Sequence, residues 1–441
     1  MTTLHIGNVK TEEMAGDPAL LTDGQLRLAG CCAERALWFA RDGDVVVLPA
    51  APQDAFVEHV TRTTGVRAST LRILVPPAGR AGDAVLTADR LGDARLHAAL
   101  RTALIGRPVT RIRAYYPDTA VVRLAEMLGV RQAVPGHGFF AQGGATAANS
   151  KALFRAVAAG LGIPVAPGMI ADRPRQAENA VVRWLDAGHP VILKRELQSA
   201  GEGNEIISPG GALRPAGAGG VVVLNDRAAV RAHLAARWPW LTDGGRGRLV
   251  VERYLPGVRP VYAEYLVTDA RVEHTGEGEL LMAPMLDGVV SPVPDLAPDA
   301  RAALLRLTRR LCEAYRAIGY RGTMSVDALV APDGGVLLNE TNSRLSGATH
   351  LHDVIGPRLA GPGRTLLDRA GWKVPSFGEA LRRLTDTGLA FHRSTRTGVL
   401  LTCDFTRLDG TVGYCVAADG IGAARRREAQ LRDLFTTAAR R

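Results

Sequence analysis

Short apolar runs alternate with amphipathic segments over roughly the first 130 residues of the chain. The apolar runs LHIGNV, VVVLPA, LRILVP and RIRAYYP have the length and β-branched content of strands. Segments with helical spacing lie around Leu26 to Ala40, Phe56, His97 and Val121. Strands and helices in alternation predict a parallel sheet covered by helices, a Rossmann-like first domain over residues 1–148. The first strand is not followed by GxGxxG, so the pattern predicts no dinucleotide site there.

A second α/β region is predicted over residues 149–373. Residues 134–150 are rich in Gly and small side chains and are interpreted as a connecting loop. Helices are expected from Lys151, from Glu178 and from Pro298 to Ile318, together with strands in PVILK, RLVVERYLPG and VYAEYLV. Residues 374–441 repeat a smaller pattern, a helix near Ala380, two strands around Asp409-Gly410 and an Arg-rich helix. We expect a small α+β domain there, and three domains in all.

Composition narrows the function classes. A chain of 441 residues with 46% hydrophobic content can bury two or three cores, since single cores rarely exceed roughly 250 residues. No apolar run approaches the ~20 residues of a membrane span, and the N-terminus lacks a signal-peptide layout, so a soluble cytoplasmic protein without a membrane partner is expected. The five cysteines form no CxxC pair and are interpreted as reduced thiols.

The net charge of +10 raises the question of nucleic acid. The basic residues are scattered without a long run or interleaved aromatic residues, so nucleic-acid binding is not expected and anionic small substrates fit better. Of the 54 basic residues only Lys10, Lys151, Lys194 and Lys373 are lysines. Each lysine is therefore a candidate for a specific role.

Two apolar runs near the end of the second region predict a hairpin with acids on both strands. TMSVDALV and GVLLNETN flank Ala-Pro-Asp-Gly-Gly, and a two-residue turn at Asp333-Gly334 would place Asp327 directly opposite Glu340. Asn342 would project on the same side as Glu340, about 7 Å further along. Two facing carboxylates repel unless a proton or cation lies between them, and hard oxygen ligands suit Mg²⁺. The alternative is an edge hairpin with solvated acids; Arg344, which could stabilise oxyanion charge, favours the metal site.

At this point the chain resembles the ATP-grasp superfamily, whose closing hairpin carries an acid, then Glu-x-Asn, often followed by Arg. The resemblance implies that Asp327, Glu340 and Asn342 hold Mg²⁺, as two ions for which Mn²⁺ could substitute, against the phosphates of ATP. It also implies that Lys151, before the turn Gly162 to Val165, and Lys194 bind the nucleotide. Ser199, Gly201 and Gly203 would belong to the glycine-rich lid, where Gly lets backbone amides approach an anion. Without that context GEG is more typical of an ordinary turn.

The resemblance further assigns the adenine contact to Glu252, Arg253, Tyr254 and Leu255, although the same segment also fits an ordinary buried strand. The chain departs from the pattern at Arg259, where many relatives place an acid for the ribose hydroxyls. Glu264 is a candidate substitute. His350 and His352 follow Arg344, and packed histidines are favoured over a catalytic base for both.

Beyond the core, the whole chain resembles peptide ligases of the pheganomycin type, which have a pre-ATP-grasp domain and a small C-terminal domain. Residues 8–12 and 393–404 carry this looser likeness. It implies a carboxylate-amine ligase of specialised-metabolite (antibiotic) peptide biosynthesis: a small-molecule carboxylate attacks ATP, and an amine or peptide acceptor displaces phosphate, with Lys194 and Arg344 as catalytic residues. Two alternatives stay open: transfer of the acid to a carrier-protein thiol, and a nucleotide-binding regulatory protein without turnover.

Overall fold

The computed structural model describes residues 1–18, 21–198, 201–210 and 213–436. Its first sheet has four parallel strands in the order β3-β2-β1-β4, as the alternating pattern predicted. The strands are β1 (Thr2–Ile6), β2 (Val45–Val47), β3 (Arg72–Leu74) and β4 (Val109–Ala114). The helices of this region are α1 (Glu12–Ala15), α2 (Asp23–Ala33), α3 (Ala36–Phe39), α4 (Asp54–Thr64), α5 (Ala88–Leu91), α6 (Ala94–Ala103) and α7 (Thr119–Met127).

The connecting loop predicted over residues 134–150 is wrong in part. Two short helices occupy it, α8 (His137–Ala141) and α9 (Gly144–Ala148). Phe140 is buried there against Tyr320, with ring centroids 5.8 Å apart. Small residues and glycine suggested a loop because helix propensity is low, but burial of Phe140, Ala145 and Ala148 in the core stabilises helical turns.

The second sheet is mixed and has five strands in the order β5-β9-β6-β7-β8. The elements are α10 (Lys151–Gly160), β5 (Gly168–Ala171), α11 (Pro174–Asp186), β6 (Val191–Arg195), β7 (Asn204–Ser208), β8 (Val221–Val223), α12 (Arg227–Leu241) and β9 (Leu249–Arg253). Its core is separate from the others: α11 and α12 pack together and cover Leu193 and Val251. The side chains of Lys194 and Glu252 alternate to the opposite face, toward the third sheet.

The third sheet has eight strands in the order β14-β13-β10-β11-β12-β15-β17-β16. The strands are β10 (Arg259–Val267), β11 (Val272–Met282), β12 (Leu286–Ser291), β13 (Gly322–Val330), β14 (Val336–Asn342), β15 (Thr365–Lys373), β16 (Gly398–Phe405) and β17 (Thr411–Ala418). The helices are α13 (Pro298–Ala317), α14 (Phe377–Asp386) and α15 (Ile421–Thr436), and a π-helical segment spans Leu351–Ala360. β15 pairs with β17, so the sheet continues across residue 373. The domain boundary expected there stays a prediction.

The first domain packs against both other parts of the chain. Trp38 of α3 is fully buried and donates a hydrogen bond from Nε1 to the carbonyl oxygen of Thr402 at 3.1 Å, and α2 packs against β16. Tyr116, Phe140 and Tyr320 share one core with β10, β13 and β14. These contacts hold α2 beside the third sheet. No helix in the described ranges has both the length and the apolar character needed to cross a membrane.

Candidate active site

A cavity of about 420 Å³ lies where the second sheet, the third sheet and the first domain meet. Lys194 and Glu252 line it from the second sheet, and Asp327, Glu340 and Asn342 line it from the hairpin of β13 and β14. The segment from Glu252 to Val258 and one face of α2 also line it. The cavity therefore brings together residues that are far apart in sequence.

The hairpin places Asp327 opposite Glu340, as predicted, but by a different route. The turn is longer than the predicted Asp333-Gly334 pair: Ala331 donates to the carbonyl of Gly335 at 2.8 Å, and Val330 pairs with Val336. A bulge at Asn339 then adds one residue to β14 and restores the pairing at Glu340. The two-residue turn is wrong because Pro332 and Gly334, whose φ is +86°, accommodate a wider loop.

The two acids face each other at the cavity wall, where both are half-buried. The Nδ2 of Asn342 donates to Oδ2 of Asp327 at 3.2 Å, and Nζ of Lys151 lies 3.1 Å from Oε2 of Glu340. Burial and the neighbouring Glu340 raise the pKa of Asp327 well above its usual range. Burial also opposes ionisation of Glu340, but Lys151 and Lys194 hold the pKa of Glu340 below its usual range. The two facing acids therefore disfavour simultaneous ionisation, which is the repulsion expected from the sequence.

The donor set fits a hard cation. Two carboxylates and a carboxamide converge, and rotation of the Asn342 amide would present its oxygen in place of its nitrogen, an assignment that rests on hydrogen bonding alone. The hairpin supplies only two acids, and no cluster of three or more His, Cys, Asp or Glu side chains placed to hold a metal occurs among the described residues. A cation here would therefore complete its shell with water or substrate phosphate, as Mg²⁺ commonly does.

Lys194 is held between two acceptors. Its Nζ lies 2.6 Å from Oε2 of Glu252 and donates to Oδ1 of Asn339 at 2.7 Å. Arg155 donates to Oε1 of Glu252 at 2.7 Å, so two cations neutralise that carboxylate. The side chain of Glu252 positions Lys194, and the segment from Arg253 to Leu255 is left to line the cavity. The roles of Asn339 and Arg155 were missed by sequence reasoning.

The glycine-rich loop contacts the first domain. Lys10 forms an ion pair with Glu202, and Nε2 of Gln198 donates to the carbonyl of Ala15 at 2.9 Å. Gly201 has φ +81° and lines the cavity; a Cβ there would lie 2.7 Å from the carbonyl oxygen of Gly217. A Cβ at Gly203 would lie 2.7 Å from Cβ of Gln198, which leaves little room for a larger residue there. Ser199, the remaining predicted lid residue, lies outside the described residues.

Lys151 lies next to this loop, because its Nζ donates to the carbonyl of Gln198 at 2.7 Å. Together with its contact to Glu340, this bond places Lys151 between the lid and the hairpin. It is 7% exposed and does not line the cavity itself. The predicted nucleotide contact of Lys151 therefore depends on a change in its present partners and stays a prediction.

Arg344 faces the cavity from the segment after β14. It is 9% exposed, and it donates to Oδ1 of Asn149 at 2.7 Å, which also accepts from the backbone amide of Ser343 at 3.0 Å. Asn149 belongs to the residues that connect the first domain to α10. The guanidinium is thus oriented by a neutral partner and retains its full charge for an anion.

Three residues discussed for nucleotide or proton chemistry do not line the cavity: Arg259, Glu264 and His352. Nε2 of His352 and the hydroxyl of Tyr262 share a hydrogen bond at 2.9 Å, and burial lowers the pKa of His352 to about 4, which supports the packed interpretation. Arg259 pairs with Glu279. Glu264 is fully buried and accepts from Ser346 at 2.7 Å and Thr349 at 2.8 Å, so it supports the segment after Arg344 and does not border the cavity.

Glu264 gives a pH-dependent prediction for stability. Burial raises its pKa from 4.5 to about 7, so the folded chain binds a proton that the unfolded chain has lost between these values. The contribution of Glu264 to stability is therefore full below pH 4.5 and falls by about 3 kcal/mol as the pH rises to 7. Relative to wild type, Glu264→Gln should gain stability over that window, measured as unfolding midpoints from pH 5 to 8. The exposed-acid control Glu273→Gln should follow wild type; parallel curves for all three proteins would contradict the assignment.

Comparison with known proteins agrees with this architecture. A family model described as the Pre ATP-grasp domain matches residues 33–130, and one described as the PGM1 C-terminal domain matches residues 379–431. Both fall within the outer domains expected from the sequence. No curated protein matches the chain in sequence.

Similar solved structures cover almost the entire chain. The ADP complex of PurK, an N5-carboxyaminoimidazole ribonucleotide synthetase, has a TM-score of 0.56 at 11% identity and covers 99% of this chain and 97% of its own. The synthetase of the same name from Thermus thermophilus has 0.56 at 16%, covering 98% of both chains. Biotin carboxylase of Campylobacter jejuni, bound to β,γ-ATP, has 0.56 at 14%, covering 95% and 87%.

At these identities the likeness establishes the fold and leaves the activity to be argued from the site. It confirms the predicted α/β fold, while the narrower likeness to pheganomycin-type ligases stays a prediction. The chain therefore has the ATP-grasp fold, preceded by a pre-ATP-grasp domain and followed by a segment similar to the PGM1 C-terminal domain.

Proposed function

We propose that this protein is an ADP-forming ligase that joins a small-molecule carboxylate to an amine through an acyl phosphate. The observation that carries the proposal is the pair of facing acids, Asp327 and Glu340, with Asn342 beside them and Lys194 across the same cavity. Phosphoryl transfer depends mainly on positioning and charge neutralisation, and this set of residues provides both. The nucleotide complexes of structurally similar proteins support ATP as the co-substrate.

Each part of the cavity has a role in this reaction. The segment from Glu252 to Leu255 borders the adenine end, and Lys194, fixed by Glu252 and Asn339, is placed to contact phosphate oxygens. Asp327, Glu340 and Asn342 would hold Mg²⁺, in which role Mn²⁺ could substitute, and two ions are proposed. When bound, the metal would neutralise charge on the phosphates. Arg344 binds the carboxylate that is to be activated and keeps it in line with the γ-phosphate.

The acceptor is proposed to be the amine of a small molecule or peptide, in specialised-metabolite biosynthesis. The resemblance of the outer segments to peptide ligases supports this finer assignment. ADP release measured over panels of carboxylates and amines tests the function. ADP formation that requires both an acid and an amine supports it, whereas ATP binding without acid-dependent ADP formation would point to the regulatory alternative.

Lys194→Met should weaken nucleotide binding by roughly 1.5 to 3 kcal/mol, because a charge-assisted hydrogen bond to phosphate is lost. Calorimetry with ADP and with a non-hydrolysable ATP analogue measures the change, and the loss should be larger for the analogue if Nζ reaches the γ-phosphate. Lys373→Met provides a matched control because Lys373 is an exposed lysine at the end of β15. Wild-type affinity in the Lys194 variant would leave that lysine with a structural role only.

A further inference from the structure

One face of α2 lines part of the cavity. Gln25, Leu28, Ala29 and Cys32 all line it, at the i, i+3, i+4 and i+7 spacing of a single helical face. Arg35, just after α2, continues this wall, and Arg344 borders the same space from the hairpin side. The guanidinium groups of Arg35 and Arg344, which come from different domains, therefore line the same cavity. The matched range of the Pre ATP-grasp model begins at residue 33, after most of this helix.

Arg35 is half-buried and lines the cavity. Its Nε is buried without a hydrogen bond, and no carboxylate of the described residues forms an ion pair with it. Burial opposes the charge of Arg35, but Cys403, Cys32, Asp368 and Tyr115 act in the opposite direction and raise its pKa. Asp368 has its own contacts, a hydrogen bond from Thr402 at 3.1 Å and His350 at 3.6 Å. A guanidinium that lines a cavity and forms no ion pair with a described residue is available to bind the anionic group of a ligand.

Tyr115 lies near both Arg35 and Arg344. It follows β4, lines the cavity and interacts electrostatically with both Arg35 and Arg344, which oppose the rise that burial causes in its pKa. A guanidinium with a phenol hydroxyl nearby offers several donors directed at one region. One guanidinium beside one neutral hydroxyl suits a monoanionic carboxylate better than a phosphate dianion.

Another part of the cavity wall is apolar. Leu280 and Met282 of β11 and Leu286 and Val289 of β12 line it. Leu28 and Leu286 are each 40% exposed, which is high for leucine, because they border the cavity. A ligand that fills this space therefore combines an anionic group with an apolar portion.

We propose that one of the two substrates carries a second carboxylate, which the reaction does not consume, and that Arg35 binds this group while Arg344 binds the carboxyl group to be activated. The inference rests on the proposed ligase function. Two sources supply the chemistry: an amino acid or peptide acceptor whose own carboxylate is free, or a donor that is a dicarboxylic acid. In either case Arg35 determines substrate specificity and takes no part in phosphoryl transfer.

A binding experiment tests the inference without requiring turnover. The probes are the dicarboxylates from malonate to adipate and a set of apolar L-amino acids, each compared with the derivative in which one carboxylate is an amide. With MgADP present, at least one acid should raise the unfolding midpoint of the wild-type protein more than its amide does. Arg35→Met should lose this difference, with an affinity for the acid lower by about tenfold or more. Arg27→Met, an exposed arginine on α2, should behave as wild type.

Two results would overturn the inference: no acid distinguished from its amide by the wild-type protein, or Arg35→Met binding every acid as wild type does. ADP affinity serves as the folding control, because Arg35 is not among the residues proposed to bind the nucleotide. If the methionine variant does not fold, Arg35→Lys, which keeps the charge, should retain part of the acid preference. Partial or complete loss of the acid preference in the folded lysine variant supports the inference, whereas a preference as large as that of wild type would overturn it.

Turnover then identifies the source of the carboxylate. Once a reacting pair is known, an amide on the acceptor or on the donor should lower kcat/KM in wild type, and the same substitution should have little further effect in Arg35→Met. Absence of turnover with Arg35-dependent acid binding intact would count against the proposed ligase function and not against the anion site. Equal losses for acid and amide substrates in Arg35→Met would count against the site and leave the ligase function standing.

Discussion

Glu340→Gln is expected to reduce ADP formation by roughly a thousandfold or more, because charge stabilisation by a metal contributes several kcal/mol in the transition state. The substitution removes a negative ligand and also the carboxylate that Lys151 contacts at 3.1 Å. Asn342→Ala should have a smaller effect in the same direction, since a neutral ligand is lost. The rate of ADP release at saturating Mg²⁺ and ATP is the measurement.

The fold should survive both changes, because these side chains face a cavity and pack little of the core. Removal of Glu340 even relieves the repulsion that raises the pKa of Asp327. Glu273→Gln, on the same sheet and partly exposed, provides the control for a carboxylate lost elsewhere. Wild-type rates in a purified, folded Glu340 variant would contradict the metal assignment.

The hairpin shows what the sequence pattern could predict and what it could not. Alternation along β13 and β14 correctly brought Asp327, Glu340 and Asn342 to one face, because a strand has a period of two residues. The predicted turn was one step too short, and the bulge at Asn339 compensated for it. A bulge depends on contacts from outside the hairpin, here the hydrogen bond from Lys194 at 2.7 Å, so a local pattern could not predict it.

Other elements were missed for a related reason. β11 contains Gly276 and Gly278, which are unfavourable in strands, and no strand was predicted there. In the structure a Cβ at Gly276 would lie 2.0 Å from the ring of His352, and one at Gly278 would lie 2.7 Å from the ring of Tyr262. These glycines are required by rings that reach them from other elements. Such requirements appear only once the sheet is assembled.

The partners of the cationic residues could not be predicted from the sequence either. Lys194 could be singled out because lysine is rare in this chain, but its contact with Glu252 arises from the antiparallel pairing of β6 and β9. Arg155 approaches the same carboxylate from α10. With 50 arginines in the chain, composition could not mark this one, or Arg35, as different from the others.

The choice of phosphate distinguishes this reaction from adenylation. If Asp327 and Glu340 hold Mg²⁺ against the β- and γ-phosphates, the substrate carboxylate forms a bond to the γ-phosphorus and the bridging oxygen leaves with ADP. The acyl phosphate that results can be trapped, because hydroxylamine attacks its carbonyl carbon and displaces inorganic phosphate. Hydroxamate, ADP and phosphate should therefore form in equal amounts when hydroxylamine replaces the amine acceptor.

Asp327→Asn should lower this hydroxamate yield by at least about a hundredfold, because the variant keeps the shape of the side chain but loses one of the two charges that face the cation. Asn342 can still hydrogen-bond to the new amide, so the unfolding midpoint should change little. The products are quantified together by chromatography, with Glu273→Gln again as the control. AMP and pyrophosphate as the stoichiometric products would show attack at the α-phosphate, and the placement of the metal, the role of Arg344 and the proposed ligase mechanism would all have to be abandoned.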